Sequence, residues 1–338
     1  SSLFGVVTQL GHRFVLYAIS PLIYNVGIIF GIVLLFPVFG LAGLALGVVI
    51  GALGHMLVQL PLVQSSSLAF GFTKEINWSE IFSVLRVSIP RALTLALHQV
   101  VLLILVGIAS LMTVGSVAVL QFAYNLQSVP LAIVGASYSI AAFPLLADLF
   151  SQNKLDKFKL HIETALRHII FWAVPITFLI VVLRAHVVRV VLGSGAFDWA
   201  DTRLTAAVLA LLVISLVAQA CNLLLVRSFY AAGNTRTPFF VTLCGSVFAI
   251  VLTVVFYQLY QQSFMFSATL GSLLRVDDVS GAEVMVIALG YAIGITFQTL
   301  TLFGFAVREF ALSWSPYGRH LMRSLFAACV GGSSAYLV

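Results

Sequence analysis

The stretch QFAYNLQSVPLAIVGASYSIAAFPLL, residues 121–146, decides the fold class. It contains no charged residue and exceeds the roughly 20 residues that cross a hydrocarbon core about 30 Å thick. The stretch is therefore predicted to span a membrane as a helix, although it carries two helix breakers, Pro130 and Pro144. Because a proline inside a helix removes a backbone hydrogen bond, we expect this helix to be bent.

The whole chain has the composition of a membrane protein. Hydrophobic residues make up 61% of its 338 residues and charged residues 8%, whereas soluble domains carry about 25% charged residues. This excludes a soluble globular domain. Only helices and closed barrels span lipid, and the long apolar runs lack the alternating pattern of barrel strands. We therefore predict an all-α polytopic membrane protein.

Nine membrane spans are predicted from these apolar runs. They lie near residues 15–36, 39–62, 89–112, 117–147, 161–184, 203–230, 238–260, 283–307 and 319–338. The first residues lack an initiator Met and a signal-peptide pattern, and the last residues stop within an apolar run. We therefore expect the chain to be an internal segment of a longer protein.

The basic residues fall unevenly on the two sides of these spans. One side holds thirteen of the 17 Lys and Arg residues, and the other holds Arg184, Arg189, Arg203 and Arg275. Cytoplasmic loops carry an excess of Lys and Arg, so the first side is predicted to be the cytoplasmic, or inner, side. The net charge of +6 therefore gives no reason to expect nucleic acid as a partner.

The outer joint at residues 192–202, LGSGAFDWADT, contains the signals of a helix start. Asp198 is expected to cap the next helix, and Asp201 to lie in its first turn, where a negative charge is favourable. A contact of this joint with a lipid headgroup is the alternative interpretation.

Two inner joints have different characters. At residues 231–238, AAGNTRTP, Gly233 is expected to end one helix, Thr237 to cap the next and Pro238 to lie in its first turn. The joint at 64–88 is the longest on the inner side and is interpreted as a surface-lying linker between two halves.

Two pairs of similar segments occur in the same order along the chain. HRFVLYAISP (12–21) is echoed by RSFYAAGNTRTP (227–238), and ALGVVIG (45–51) by ALGYAIG (288–294). Six spans lie within one period, and an even number of spans preserves orientation, so the pattern predicts a parallel repeat. The second repeat unit would cover roughly 89–307.

Three polar residues of the opening stretch are spaced as one helical face. Gln121, Asn125 and Ser128 follow one another at i, i+4 and i+7. This face either lines a cavity and binds a substrate headgroup, or hydrogen-bonds neighbouring helices as amides do in membrane bundles. The residues alone leave both interpretations open.

Polar residues on two other spans are further candidates for substrate binding. Arg91 lies near the inner end of the third span, where it either snorkels to the interface or meets a headgroup. His98 and Gln99 lie at mid-membrane and need partners, and His98 is either a protonation switch or a hydrogen-bonded structural histidine. The first span adds Tyr24 and Asn25, which either line a cavity or pack against neighbouring helices.

Motifs for enzymatic chemistry are missing from the sequence. It contains no P-loop and no His/Cys cluster with metal-ligand spacing. We therefore predict neither an enzyme nor a bound cofactor or metal.

Five ordered segments resemble the MurJ/MviN lipid II flippases of the multidrug/oligosaccharidyl-lipid/polysaccharide exporter (MOP) superfamily. They are HRFVLYAISPLIYNVGII (12–29), IPRALTLALHQVVLLI (89–104), NLQSVPLAIVGASYSIAAFPLL (125–146), GAFDWADT (195–202) and FYAAGNTRTP (229–238). The resemblance implies a MOP-type fold of about fourteen helices, two six-helix lobes and two further helices, of which about nine are present. It implies an N-lobe end at 1–63, an inter-lobe linker at 64–88, a C-lobe at 89–307 and the start of the further helices at 308–338.

The resemblance also implies a function. Members of the family move the undecaprenyl-linked peptidoglycan precursor across the bacterial cytoplasmic membrane by alternating access, with the headgroup in a cavity between the lobes. The partners would be this lipid-linked precursor, membrane lipids and, beyond them, cell-wall synthesis or division proteins. A polar path is needed because moving a charged headgroup through hydrocarbon is prohibitive. The resemblance favours the cavity interpretation of Gln121, Asn125 and Ser128.

Two departures from the family pattern keep other functions open. Many members carry an acidic–Arg pair where this chain has Tyr124 and Asn125, and an amide can hydrogen-bond a phosphate but offers no charge. The segments 89–112 and 239–260 contain no Asp or Glu, so the sodium site of some members is not expected, and coupling to the membrane potential is favoured. The alternatives are another MOP transporter, either a lipid-linked oligosaccharide flippase or a multidrug/cation antiporter, and a non-transporting membrane scaffold.

Overall fold

The computed structural model describes residues 14–65, 78–195 and 197–312. The chain divides into two compact units between Asn77 and Trp78, and each unit has its own packing. This division lies within the stretch 64–88, but residues 78–88 of that stretch form the start of a long helix. The interpretation of the stretch as a surface-lying linker between two halves stays a prediction.

The first unit is a helical hairpin whose two arms meet at glycines. Its elements are α1 (Phe14–Phe30), a π-helical turn (Gly31–Leu35), α2 (Phe36–Phe39) and α3 (Leu41–Ser65). A Cβ atom at Gly27 would lie 2.3 Å from the Cα of Gly51, and Gly31 meets Gly47 in the same way. Small residues permit this close approach of membrane helices. Gly40 makes the turn with a φ of +57°, which favours glycine.

The second unit is larger and contains α4 to α12. Its elements are α4 (Trp78–Ser110), α5 (Ser116–Pro130), a π-helical turn (Leu131–Ala136), α6 (Ser137–Ser151), α7 (Leu155–Leu192), α8 (Trp199–Ile214), α9 (Leu216–Ala231), α10 (Arg236–Gln262), α11 (Phe264–Leu274), a 3₁₀ turn (Ala282–Val284) and α12 (Met285–Phe310). Helix α12 packs along α10 and against α8 and α9, and α4 packs against α10 and α5. Helix α8 is buried along most of its length and lies at the centre of the unit.

Seven of the nine predicted spans are present in the described ranges, as single helices or helices continued through a π turn. The helices α8 and α9, which bend by 44° at their break, make an eighth when the pair is counted as one span. The ninth predicted span, 319–338, lies outside the described residues. The prediction of an all-α polytopic membrane protein is thus confirmed. The sequence did not predict α11, a short apolar helix in an outer joint.

The opening stretch forms one continuous span from α5 to α6, with a π-helical turn directly after Pro130. Pro130 has no N–H group to donate, and a wider turn is one way for a helix to accommodate that loss. The hydroxyl of Ser137, the first residue of α6, donates to the Ala132 carbonyl in the turn, five residues earlier, at 3.0 Å. At Pro144 the span continues as an α-helix. The change in helix geometry therefore follows Pro130 and not Pro144.

The π turn packs against the bent span α8–α9. A Cβ atom at Gly135 would lie 2.9 Å from the Cα of Ala220, so the two backbones are in direct contact. The Gln127 amide, 1% exposed, donates to the Leu212 carbonyl at 3.0 Å, next to the break at Ser215. The irregular parts of the two spans are thus packed and hydrogen-bonded to each other.

The structure confirms one predicted helix cap and corrects another. Asp198 accepts the backbone N–H of Asp201, and Asp201 accepts that of Asp198, which makes a capping box at the start of α8. Gly233 follows α9 with a φ of +77°, as expected. The prediction of Thr237 as a cap is wrong because Thr237 lies within α10, and the Asn234 side-chain oxygen accepts the Thr237 N–H at 3.1 Å.

A bidentate ion pair lies at the predicted outer end of the second unit. The Arg203 guanidinium donates to the two carboxylate oxygens of Asp278 at 2.6 and 2.8 Å, and also to the Arg275 carbonyl. The hydrogen bond from Arg203 lowers the pKa of the Asp278 carboxyl. This contact ties α8 to the loop after α11.

Candidate functional site

The three polar candidates of α5 lie on its exposed side. Gln121, Asn125 and Ser128 are each exposed, whereas Ala123 and Gln127 are buried. The amide that bonds a neighbouring helix is therefore Gln127. In the described part of the chain, the side chains of Gln121 and Asn125 make no hydrogen bond. The Ser128 hydroxyl donates to the Asn125 carbonyl of its own helix at 2.7 Å.

A histidine of α4 meets this part of α5. The His98 Nε2 atom lies 3.3 Å from the Tyr124 hydroxyl, and Tyr124 is three residues from Gln121 and four from Ser128, which places it beside them on the helix. The expected polar partner of His98 is thus Tyr124. Gln99, the neighbouring candidate, is exposed.

A small cavity of about 50 Å³ lies beside Tyr124. It is bounded by α4, α5, α8 and α12, and its polar lining comes from Gln121, Tyr124 and Tyr291. The Tyr291 hydroxyl is buried without a hydrogen-bond partner among the described residues. A buried water needs about 10–15 Å³ of comparable volume, so the cavity has room for a few waters and not for a sugar headgroup.

Arg91 lies nearer the predicted inner end of α4. Its Cζ atom is 5.3 Å from the centroid of the Tyr230 ring on α9, a distance at which the ring face attracts a cation. Arg91 and His98 are seven residues apart, so they lie on the same side of α4, about 10 Å apart along its axis. One side of α4 therefore carries both its basic and its imidazole candidate.

The other two candidates lie in the first unit. On α1, Tyr24 is half-buried and Asn25 is exposed. The Tyr24 carbonyl would lie 2.5 Å from a Cβ atom at Gly51, so this part of α1 belongs to the tight hairpin contact. A role in substrate binding stays a prediction for these two residues, as it does for the six candidates of the second unit.

Three residues at these sites are not among the sequence candidates. They are Tyr124, Arg227 and Tyr230. A histidine at mid-membrane needs a polar partner, and Tyr124 is a residue of the right kind. The sequence does not show which helix supplies that partner. Arg227 and Tyr230 stand at i and i+3 in the segment RSFY, a spacing that places them on one helix face, and this spacing is the signal that could have found them.

The second unit offers little for a metal ion to bind. Among the residues that the structure describes, no group of three or more His, Cys, Asp or Glu side chains could hold one. Helix α10 contains no Asp or Glu. The site chemistry of the described residues is therefore that of neutral hydrogen-bonding groups and arginines.

Comparison with known proteins points to one family. The family model for the lipid II flippase MurJ matches residues 1–277. A probable lipid II flippase MurJ of Thermotoga maritima is 30% identical over 256 residues, which cover 75% of this chain and 50% of the relative. A probable lipid II flippase MurJ of Bdellovibrio bacteriovorus is 26% identical over 275 residues, which cover 80% and 52%. The chain thus spans about half the length of the curated relatives it matches.

A solved structure shares the fold. The lipid II flippase MurJ in an inward closed conformation matches with a TM-score of 0.70 and 20% sequence identity, over 98% of this chain and 63% of the other. Since the family model covers well over half of the chain and the helices follow the same architecture, the chain belongs to the lipid II flippase MurJ family.

Proposed function

We propose that the complete protein is a lipid II flippase of the bacterial cytoplasmic membrane and works by alternating access. Beyond family membership, one observation carries the proposal. Gln121, Asn125 and Ser128 form an exposed polar face on a helix long and apolar enough to span a membrane. Amide groups exposed to hydrocarbon are costly, so this face is expected to border water or a polar ligand.

The headgroup is the part of lipid II that resists transfer. Its phosphates and sugars lose their hydration in hydrocarbon, which costs many kcal/mol for a charged group. Amide and hydroxyl groups can replace hydrogen bonds to water with bonds of similar net strength. A neutral polar face therefore lowers the barrier without holding the headgroup tightly, while the polyprenyl chain stays in the bilayer.

Each part of the chain then belongs to one part of the transporter. The C-lobe is 89–307, the end of the N-lobe is 1–63, and the further helices begin at 308. The polar face of α5, with Asn125 near its middle, then borders the path of the headgroup. The protein binds the lipid-linked precursor and membrane lipids, not nucleic acid, and it makes or breaks no covalent bond, so it is not an enzyme.

A complementation experiment in cells tests this function. The full-length protein is expressed in bacteria depleted of their own lipid II flippase, and lipid II exposed on the outer leaflet is labelled and measured. We expect restored exposure. The isosteric Asn125→Asp variant is the matched control. Its shape is unchanged, but its negative charge repels a diphosphate, so lipid II exposure should be lower than with the wild type. No restoration by the wild type despite good membrane expression would overturn the proposal.

The neutral Tyr124–Asn125 pair favours one second candidate, a flippase for a different lipid-linked oligosaccharide. An exposed amide binds sugar hydroxyls without needing a charge. This candidate predicts export of a lipid-linked oligosaccharide in cells that lack the corresponding flippase, with no gain in lipid II exposure.

A further inference from the structure

Two arginines from different helices lie close to one tyrosine, Tyr230, near the predicted inner end of the second unit. Arg91 of α4 is exposed, and its guanidinium lies over the Tyr230 ring of α9 at 5.3 Å. Arg227 is half-buried and stands three residues before Tyr230 on α9. Residues at i and i+3 are neighbours on a helix surface. Arg91 therefore reaches the same face of α9 that carries Arg227.

Neither guanidinium has an acidic partner in the described ranges. The ion pair that those ranges contain is Arg203 with Asp278, at the other end of the unit. Arg91 and Arg227 thus bring two positive charges to the surroundings of one tyrosine ring, and Arg227 is half-buried there. Such an arrangement is unfavourable unless an anion offsets it.

The hydroxyl of the tyrosine in this cluster also lacks a hydrogen-bond partner. The Tyr230 hydroxyl is buried and has no hydrogen-bond acceptor among the described residues. Two guanidinium groups present five N–H donors each and a phenol presents one O–H donor. The cluster is therefore rich in donors, and the chemistry that matches it is an anion with several oxygen acceptors.

We propose that Arg91, Arg227 and the Tyr230 hydroxyl form a site for the diphosphate of a lipid-linked substrate at the inner end of the second unit. Each guanidinium can bind one phosphoryl group through two parallel hydrogen bonds, and two linked phosphoryl groups suit two arginines better than one group does. This inference rests on the proposed function, which supplies the lipid diphosphate. It also places the positive charge that Asn125 does not provide.

Binding of farnesyl diphosphate to the purified full-length protein in detergent tests the site. We expect Arg91→Gln and Arg227→Gln each to weaken binding about tenfold or more, since hydrogen bonds to a charged group are lost. The double variant should bind more weakly than either single variant, because each arginine binds its own phosphoryl group. Arg308→Gln is the matched control, since Arg308 is an exposed arginine in the last turn of α12 on the same predicted side, and its binding should stay within about twofold of wild type.

Lysine variants separate this site from simple membrane anchoring. Lysine snorkels as well as arginine does, but it lacks the planar fork that binds phosphate bidentately. We therefore expect Arg91→Lys and Arg227→Lys to lose several-fold in farnesyl diphosphate affinity while the thermal stability stays unchanged. Wild-type affinity in both lysine and both glutamine variants would show that the arginines are anchors and would overturn the inference.

Two further comparisons define the ligand and its relation to transport. Farnesyl monophosphate should bind several-fold more weakly than the diphosphate, and phosphatidylglycerol should compete poorly. Equal competition by phosphatidylglycerol would mean a general anionic-lipid site and would contradict the inference. Arginine-dependent diphosphate binding in a protein that fails to expose lipid II in cells would support the site and count against the proposed function alone.

Discussion

The span from α5 to α6 has two sides, which differ in whether their polar side chains have hydrogen-bond partners. On the buried side, Gln127 donates to the Leu212 carbonyl and Gly135 lies against the Ala220 backbone. On the exposed side, Gln121 and Asn125 have no hydrogen-bond partner in the described part of the chain. Both sides carry amides, so amide content does not distinguish packing from function. What distinguishes them is whether the amide already has a partner.

Gly135→Ala should have the largest effect, and it acts on the buried side. The added Cβ would lie 2.9 Å from the Ala220 Cα and 3.0 Å from its Cβ, so one backbone must move. Overpacking of this kind costs about 1–3 kcal/mol. Thermal denaturation in detergent measures the loss.

Gly107→Ala is the matched control for that change. No atom lies within 4 Å of a Cβ atom at Gly107, and Gly107 is exposed within α4. An alanine there should stabilise the helix by about 0.5–1 kcal/mol. Equal melting shifts for the two variants would contradict the packing described for the π turn.

Asn125 should affect transport and not stability, because its side chain is exposed. Asn125→Leu removes a hydrogen-bonding group and should lower lipid II exposure in cells about tenfold if the amide contacts the headgroup phosphates. Asn125→Arg adds a charged, bidentate donor and should tighten substrate binding. If both variants transport as the wild type does, the exposed face does not bind substrate.

Gln127→Leu should lower stability modestly and leave transport unchanged. Hydrogen bonds between membrane helices are worth about 0.6 kcal/mol on average. The Leu212 carbonyl also keeps two other donors, the N–H and hydroxyl of Ser215. A melting curve and the lipid II exposure assay, run on the same variant, check the two halves of this expectation. A large transport defect in a stable Gln127→Leu protein would mean that the two sides are not separate in function.

Ser128→Ala should have the smallest effect. The hydroxyl proton is already donated to the Asn125 carbonyl within the helix, so it is not free for a ligand, and transport should stay within about twofold, as intrahelical serine bonds contribute little. A loss as large as that of Asn125→Leu would show that the hydroxyl rotates to serve a substrate.

Apolar runs were sufficient to predict the described spans, because length and hydrophobicity alone determine whether a helix can cross a membrane. The same signals do not locate an interruption inside a helix. Pro130 and Pro144 are equally good reasons to expect an irregularity, yet the π turn follows Pro130. The helix α11 was also not predicted, because its 11 residues are fewer than a membrane span needs.

The candidate site was predictable only in part, for a related reason. Helical spacing placed Gln121, Asn125 and Ser128 on one face, and the structure leaves that face exposed. Spacing within one helix cannot say which residues of another helix approach it. The contacts of His98 with Tyr124 and of Arg91 with Tyr230 depend on how α4 packs, and so they appear only in three dimensions.

The Arg203–Asp278 pair at the outer end bears on the acid tolerance of the protein. The hydrogen bond from Arg203 holds the pKa of the Asp278 carboxyl below its ordinary value, which is about 3.9 in an unfolded chain. The stabilisation is therefore fully present above that ordinary value and is lost only as the pH falls through the lowered pKa. Medium that is moderately acidic leaves the pair charged. We therefore expect the loop after α11 to stay attached to α8 when the medium on the predicted outer side becomes moderately acidic.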